Sequence, residues 1–138
     1  MTRYLLDTNY LADAIRKSSR VRDRIRRFAQ TGNRFGTCGP VLCELEAGIQ
    51  QTGQPAAARR RLNTLLGVVR LWTIDPAVAE VYGALYLELR RSGRSLSQVD
   101  MVLAALARQM GLVLLTTDRD FEALPDIHTE NWLASPAS

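Results

Sequence analysis

The sequence predicts an α/β protein in which helices cover both faces of a central, mainly parallel sheet. Short apolar runs typical of strands alternate along the chain with amphipathic stretches of helical length. Several helix starts are marked by capping residues, as at Gly39-Pro40 and Asp75-Pro76. The chain of 138 residues has no internal repeat or long linker, so we expect one domain over residues 1–138.

Five short apolar runs are the predicted strands. The run that contains Trp72 is rich in β-branched residues, and we expect that strand to be buried in the sheet. The last run is shorter and more polar, which favours an edge strand. The runs are residues 3–6, 34–38, 68–74, 112–115 and 127–130.

Six amphipathic stretches are the predicted helices. Thr8 or Asn9 is expected to cap the first of them, and Ser97 the last. Gly32 and Gly111 follow two of the stretches at positions typical of a helix C-terminus. The stretches begin near residues 9, 19, 39, 56, 76 and 98 and end near residues 16, 31, 50, 66, 91 and 109.

The charge of the chain is unevenly distributed. The formal net charge is +4, the pI is about 9.6, and Lys17 is the only lysine. The arginines cluster at residues 16–34, 59–61 and 90–94. This asymmetry favours an acidic partner, with nucleic acid as the first candidate. The alternative is that these arginines are the solvated faces of ordinary amphipathic helices.

Neither the N-terminus nor the interior predicts a membrane segment. The charged Asp7 follows residues 1–6 directly, so no apolar signal region forms. The longest apolar stretches fall well short of the ~20 residues that a membrane span needs. We therefore expect a cytoplasmic protein without a membrane partner, in which Cys38 and Cys43 are reduced, buried thiols.

Four acidic residues can converge on one edge of the predicted sheet. Asp7 and Asp118 follow predicted strands, and Glu44 and Asp100 lie in the first turns of predicted helices. Parallel strands joined by right-handed crossovers end at the same edge, where open α/β sheets bind ligands. Carboxylates in one pocket repel each other unless a cation screens them, so the pattern favours a Mg²⁺ or Mn²⁺ site.

Each of these acids also has an ordinary structural interpretation. Asp7 could cap the helix that follows it, and Asp118 could be a turn residue. Glu44 could be a surface residue on its helix. Asp100 follows Ser97 at capping-box spacing, although that motif prefers Glu or Gln at this position.

Four short motifs resemble those of PIN-domain nucleases, in the order and spacing of that family. The tail from Ile127 to Trp132 is also similar to the end of the VapC-type toxins of bacterial toxin–antitoxin pairs. The motifs are residues 4–9 (YLLDTN), 44–48 (ELEAG), 100–105 (DMVLAA) and 115–121 (LTTDRDF).

The resemblance implies a three-layer α/β/α sandwich and a Mg²⁺- or Mn²⁺-dependent endoribonuclease. Such proteins are usually homodimers and are inhibited by a cognate antitoxin. The family often has Ser or Thr before its Glu-bearing helix, where this chain has Cys38. Matching the motifs residue by residue assigns metal binding and catalysis to Asp7, Glu44, Asp100 and Asp118. It assigns supporting roles to Asn9, Thr117 and Asp120.

In the implied mechanism, one or two metal ions neutralise the scissile phosphate and activate a water for in-line attack. We expect Arg20, Arg24 and Arg27 to hold the RNA backbone. His128 is the only histidine, which disfavours a ribonuclease with a histidine pair.

Two other functions stay open at this point. One is a catalytically silent binding module of PIN-like fold that acts on DNA through its antitoxin complex. The other is a receiver-like signalling domain. The second of these is disfavoured because a receiver needs paired acids after its first strand and a lysine near its last, which this chain lacks.

Overall fold

Five parallel strands form a single sheet in the computed structural model, which describes residues 1–133. The strand order is β3-β2-β1-β4-β5, so the first strand of the chain lies at the centre. All four strand pairings are parallel. The strands are β1 (Arg3–Leu6), β2 (Arg34–Thr37), β3 (Val69–Leu71), β4 (Val113–Leu115) and β5 (Thr129–Glu130).

Six α-helices flank the sheet within residues 1–133, as the sequence predicts. They are α1 (Thr8–Ala14), α2 (Arg20–Gln30), α3 (Gly39–Gln50), α4 (Pro55–Leu65), α5 (Pro76–Arg91) and α6 (Gln98–Met110). A short 3₁₀ helix, Arg119–Ala123, follows β4. No helix in the described part of the chain is both long and apolar enough to span a bilayer.

The helix ends follow the capping rules, with one correction to the prediction. Ser97 caps α6 through its hydroxyl, and Gly111 ends that helix with a left-handed φ of 66°. The N-cap of α1 is Asp7, whose carboxylate accepts a hydrogen bond from the amide of Tyr10. The prediction that Thr8 or Asn9 caps α1 is therefore wrong, because the helix begins one residue earlier.

The strand predicted at residues 68–74 is shorter and more exposed than expected. Only Val69–Leu71 pairs with β2, at one edge of the sheet. Leu71 is 57% exposed and Ile74 is 39% exposed. An apolar, β-branched run has the same composition in a central strand and at an edge, so the composition did not distinguish the two. Trp72 leaves the strand and its ring lies over Gly36.

One of the two cysteines also differs from the expectation. Cys38 is buried, but Cys43 is exposed. The buried residues of α3 are Val41, Leu45 and Ile49, spaced by one helical turn. Cys43 lies between two of them in sequence and therefore on another face of the helix.

An aromatic cluster fixes the end of the described chain against the sheet and α2. The ring of Tyr4 stacks on Phe35 at 5.0 Å. Trp132 meets Tyr4 edge-on at 5.1 Å and Phe28 at 5.2 Å. The guanidinium of Arg24 lies 4.0 Å from the Trp132 ring centre. These contacts join β1, β2, α2 and the segment after β5 into one packed unit.

We expect Gly36→Ala to lower the free energy of unfolding by about 1–3 kcal/mol, the usual cost of overpacking a core. A Cβ atom at this position would lie 2.5 Å from ring carbons of Trp72. Chemical denaturation measures the effect. The control is Gly83→Ala, at a helical position with open space around it, which should stabilise by about 0.5–1 kcal/mol. A Gly36→Ala variant as stable as the parent would show that Trp72 does not occupy this position.

Candidate active site

The central strand pair brings two of the predicted acids to the same edge of the sheet. Leu6 of β1 pairs with Leu115 of β4, so both strands end at the same level. Asp7 follows directly, and its amide donates to the carbonyl of Leu115 at 3.4 Å. Asp118 lies three residues beyond Leu115. β1 and β4 are therefore neighbours in the sheet, as the predicted convergence of Asp7 and Asp118 requires.

Asp7 is both a helix cap and a member of the acidic cluster. Its carboxylate accepts a hydrogen bond from the Tyr10 amide at 3.0 Å and also bonds the Thr116 side chain. The residue is only 7% exposed. Burial raises the pKa of the Asp7 carboxyl, and the charge of Asp118 raises it further, whereas these hydrogen bonds oppose the shift. The two interpretations of Asp7 that the sequence left open are thus compatible.

Asp118 is oriented by the turn that follows β4. One of its carboxylate oxygens accepts a hydrogen bond from the amide of Asp120 at 2.8 Å, which caps the 3₁₀ helix. The amide of Asp118 donates to the hydroxyl of Thr116 at 3.0 Å. The buried Thr116 hydroxyl therefore contacts both Asp7 and Asp118.

Asp100 joins the same cluster from the first turn of α6. Its amide donates to the Ser97 hydroxyl at 3.1 Å. Desolvation raises the pKa of the Asp100 carboxyl to about 6, with further contributions from the negative charges of Asp118 and Asp7, and the Ser97 side chain opposes the shift. The charge of Asp118 contributes to the raised pKa of both Asp7 and Asp100, so the three acids lie near one another.

Glu44 approaches this edge of the sheet from α3. Its carboxylate accepts a hydrogen bond from the Thr8 hydroxyl at 2.7 Å, and Thr8 is the residue after Asp7. Glu44 is exposed, unlike Asp7. The contact with Thr8 ties Glu44 to the start of α1, next to the cluster.

The donor atoms suit a hard, hydrated cation. Carboxylate oxygens are the ligands that Mg²⁺ and Mn²⁺ prefer. Within residues 1–133, no three acidic, histidine or cysteine side chains are gathered as a preformed metal cage. Mg²⁺, however, is usually held through one or two carboxylates and keeps several of its waters. The coupled carboxylates of Asp7, Asp100 and Asp118 fit an open site of this kind.

Two threonines at the site were not found by sequence reasoning, which named Asn9, Thr117 and Asp120 as supporting groups. The side chains of Asn9 and Thr117 are exposed, and Asp120 contacts Asp118 through its backbone amide. The hydroxyl side chains that contact the acids are those of Thr8, Thr116 and the helix cap Ser97. No local sequence signal separates Thr116 from its neighbour Thr117, because the burial of Thr116 becomes visible only in the folded structure.

Cys38 occupies the N-cap of α3 and makes no side-chain capping hydrogen bond. This agrees with the expectation that the hydroxyl often found at this point in the family has no counterpart in this chain. Burial raises the pKa of the Cys38 thiol, which keeps it protonated.

The three arginines predicted to hold RNA lie along one flank of α2, with different surroundings. Arg20 and Arg27 are exposed. Arg24 is partly buried, and its guanidinium stacks over the rings of Phe28 and Trp132. Within the described residues, Arg24 thus has a structural contact that the other two lack, and the RNA contacts of all three arginines stay a prediction.

Comparison with known proteins agrees with this architecture. The pattern of the PIN-domain family matches residues 4–127. The chain belongs to the PIN-domain family. Its relatives include ribonuclease VapC4 of Mycobacterium tuberculosis, 37% identical over 103 residues, which cover 73% of this chain and 78% of the relative. Ribonuclease VapC2 of Haemophilus influenzae is 28% identical over 134 residues, 96% of this chain and 100% of the relative. Within the family, the chain is of the VapC type.

Solved PIN-domain structures have the same fold. VapBC2 from Rickettsia felis, bound to a DNA fragment from the promoter, superposes with a TM-score of 0.84 at 24% identity and covers 95% of this chain and 99% of that one. DNA-bound VapBC from Salmonella typhimurium gives a TM-score of 0.80 at 25% identity, over 96% and 99% of the two chains. The predicted PIN-like α/β/α fold is confirmed.

We expect Asp100→Asn to stabilise the metal-free protein near neutral pH but not near pH 4. The folded-state pKa of about 6 exceeds the ordinary value of 3.8, so the folded PIN domain binds more protons between these values. Stability should therefore fall as pH rises through this window and stay lower above it. Removing the carboxyl should raise the free energy of unfolding at neutral pH by about 1 kcal/mol, discounted for solvent screening.

Thermal denaturation in EDTA buffers across the pH range measures this effect. Asp23→Asn, a change at an exposed position, is the control for loss of one negative charge. Equal stabilisation by the two variants, or a gain for Asp100→Asn that does not depend on pH, would contradict the coupling between Asp100 and the other acids.

Proposed function

We propose that the protein is a Mg²⁺- or Mn²⁺-dependent endoribonuclease that acts as the toxin of a toxin–antitoxin pair. The observation that carries this proposal is the coupled cluster of Asp7, Asp100 and Asp118 at the carboxyl ends of β1 and β4. The relatives are named as nucleases, among them a tRNA(fMet)-specific endonuclease of Shigella flexneri, 28% identical over 134 residues. Their names support the reaction class, and the substrate is RNA.

The residues that would hold the ion are Asp7, Asp100, Asp118 and Glu44. A bound divalent ion supplies positive charge to the scissile phosphate and lowers the pKa of a water that attacks it. The protein keeps the ligands in place through neighbouring polar groups. The hydroxyl of Thr116 bonds the carboxylate of Asp7 and accepts a hydrogen bond from the backbone amide of Asp118, and that of Thr8 donates to Glu44.

Asp100 is the carboxyl that exchanges a proton closest to neutral pH, since its pKa is about 6. Ion binding requires the deprotonated form, so loading the site should release this proton and strengthen as pH rises. Activity is accordingly expected to fall below about pH 6, where the Asp100 carboxyl becomes neutral.

A cognate antitoxin is the proposed protein partner. The solved VapBC complexes support this assignment. A largely apolar groove of about 350 Å³ begins at Thr8 and Glu44 and continues between α1, α3 and α4 past Leu45 and Ile49. An antitoxin segment in this groove would cover Glu44 and block access to the acids. The proposal also includes that the protein acts in the cytoplasm and is a homodimer.

The alternative is a catalytically silent binding module that acts on DNA through its antitoxin complex. The solved neighbours include complexes with DNA, which is the observation in its favour. The proposed nuclease differs from this module in requiring the carboxylates for its activity.

We expect purified, antitoxin-free protein to cleave RNA from a total cellular pool in Mg²⁺ or Mn²⁺ and to stop when EDTA is added. Asp7→Asn should reduce the rate by about 100-fold or more, because a change at a ligand costs at least as much as a change next to one. Asn is also a good N-cap, so α1 should be retained. Gel analysis of end-labelled RNA measures the rate.

The matched control is Glu80→Gln, which also removes one carboxylate but lies exposed on α5. It should cleave at the parent rate. Cleavage that persists in EDTA or in the Asp7→Asn variant would refute the metal site. If no RNA is cut, the DNA-directed binding module becomes the better interpretation.

A further inference from the structure

A second charged site lies between α2 and α4, away from the acidic cluster. It is a cleft of about 300 Å³ in which four of the six lining residues are arginines. Each helix contributes residues one turn apart, so that one face of each helix borders the cleft. No acidic side chain of residues 1–133 lines it. The lining residues are Arg22, Arg26, Ala57, Arg60, Arg61 and Thr64.

Two of these arginines are held in place by the end of α1. Arg22 donates through its guanidinium to the carbonyls of Ala14, at 2.8 Å, and Lys17, at 3.1 Å. The Nε of Arg61 donates to the carbonyl of Ile15 at 2.5 Å. Both side chains thereby satisfy carbonyls that a helix C-terminus leaves without partners. They are pre-ordered cations whose remaining N–H groups can meet a ligand.

The other two arginines have no such structural explanation. Arg26 and Arg60 are exposed, and within residues 1–133 neither guanidinium takes part in an ion pair or hydrogen bond. Positive charges gathered around one cleft repel each other, so this arrangement favours a bound anion. Guanidinium groups also match the geometry of phosphate oxygens and bind them in pairs.

The position of the cleft relates it to the acidic cluster. Asp7 caps one end of α1, and Arg22 and Arg61 bind carbonyls at the other end. At 1.5 Å per residue, these ends are about 12 Å apart, a distance that a few nucleotides span. Arg61 lines both this cleft and the groove that begins at Glu44, so the two lie next to each other.

We propose that this cleft binds backbone phosphates of the RNA whose scissile bond lies at the acidic cluster. The proposal rests on the proposed nuclease function and adds a substrate-binding subsite to it. The cleft uses the flank of α2 that carries Arg22 and Arg26, opposite to the flank of Arg20, Arg24 and Arg27. Because phosphate contacts carry no base information, the subsite contributes affinity and positioning and not sequence specificity.

The test measures RNA binding separately from cleavage, in the Asp7→Asn background. A fluorescent single-stranded RNA of mixed sequence is titrated with Arg26→Gln/Arg60→Gln protein at several salt concentrations, and anisotropy reports binding. We leave Arg22 and Arg61 unchanged because they stabilise the end of α1. Loss of two phosphate contacts should weaken binding about ten-fold at low salt. It should also make the slope of log K against log salt shallower by about 1.4.

The matched control is Arg34→Gln/Arg70→Gln, which removes the same charge from two exposed arginines on β2 and β3. Arg34 starts its strand, at the sheet edge opposite to the acids. The control should bind RNA like the Asp7→Asn parent, and all variants should have similar melting temperatures. Equal weakening of RNA binding in both double variants would show that only the net charge matters, and this result would overturn the proposal.

The remaining outcomes also separate the two proposals. Unchanged RNA affinity in Arg26→Gln/Arg60→Gln overturns the phosphate subsite. If that variant instead loses binding to polyglutamate, the cleft serves an acidic protein segment. Failure of the nuclease proposal appears independently, as absence of RNA cleavage by the protein with intact acids. In active protein, the cleft variant should raise KM with little change in kcat, as expected for loss of uniform binding.

Discussion

The parallel pairing of β1 with β4 brings Asp7 and Asp118 together, and the other acids of the site gather around this pair. It aligns Leu6 with Leu115, so the chain leaves both strands at the same level and in the same direction. Asp7 and Thr116 are the first residues past the pairing. Both are buried, and the Thr116 hydroxyl contacts Asp7 and Asp118. A sheet with a different central pair would carry the same acids and not bring them together.

The carboxylates of the cluster are held close together despite their mutual repulsion. Backbone amides of Tyr10 and Asp120 donate to Asp7 and Asp118, so each negative charge is partly balanced by local dipoles. Asp100 has less compensation, and burial together with its neighbours raises its pKa to about 6. The charged form of Asp100 therefore lowers the stability of the metal-free protein. The same negative charge would attract a cation, so stability is lost where function would need it, which is a common relation in proteins.

Much of the fold and of the acidic set follows from local sequence patterns, because strand ends, caps and helical periodicity leave clear signals. The predictions that were wrong, or that missed a residue, concern details that depend on contacts between distant segments. Whether the run around Trp72 is central or at an edge depends on what packs beside it. Thr116 and Thr117 are indistinguishable until the direction of each side chain after β4 is known. Likewise, both flanks of α2 carry arginines at helical spacing, and only the position of α4 shows which flank forms a cleft.

Asp7 has two roles in the structure, and together they limit which residues can replace it. Its carboxylate belongs to the acidic cluster and also caps the N-terminus of α1. The carbonyls at the other end of α1 bind Arg22 and Arg61. Alanine at this position would remove the charge and the cap together and loosen the helix that links two binding regions. Asparagine would separate the two roles. A natural sequence with Asn at this position would therefore keep the partner-binding surface intact and lose the metal-dependent reaction. A sequence with Ala would lose the reaction and would also have a damaged binding surface.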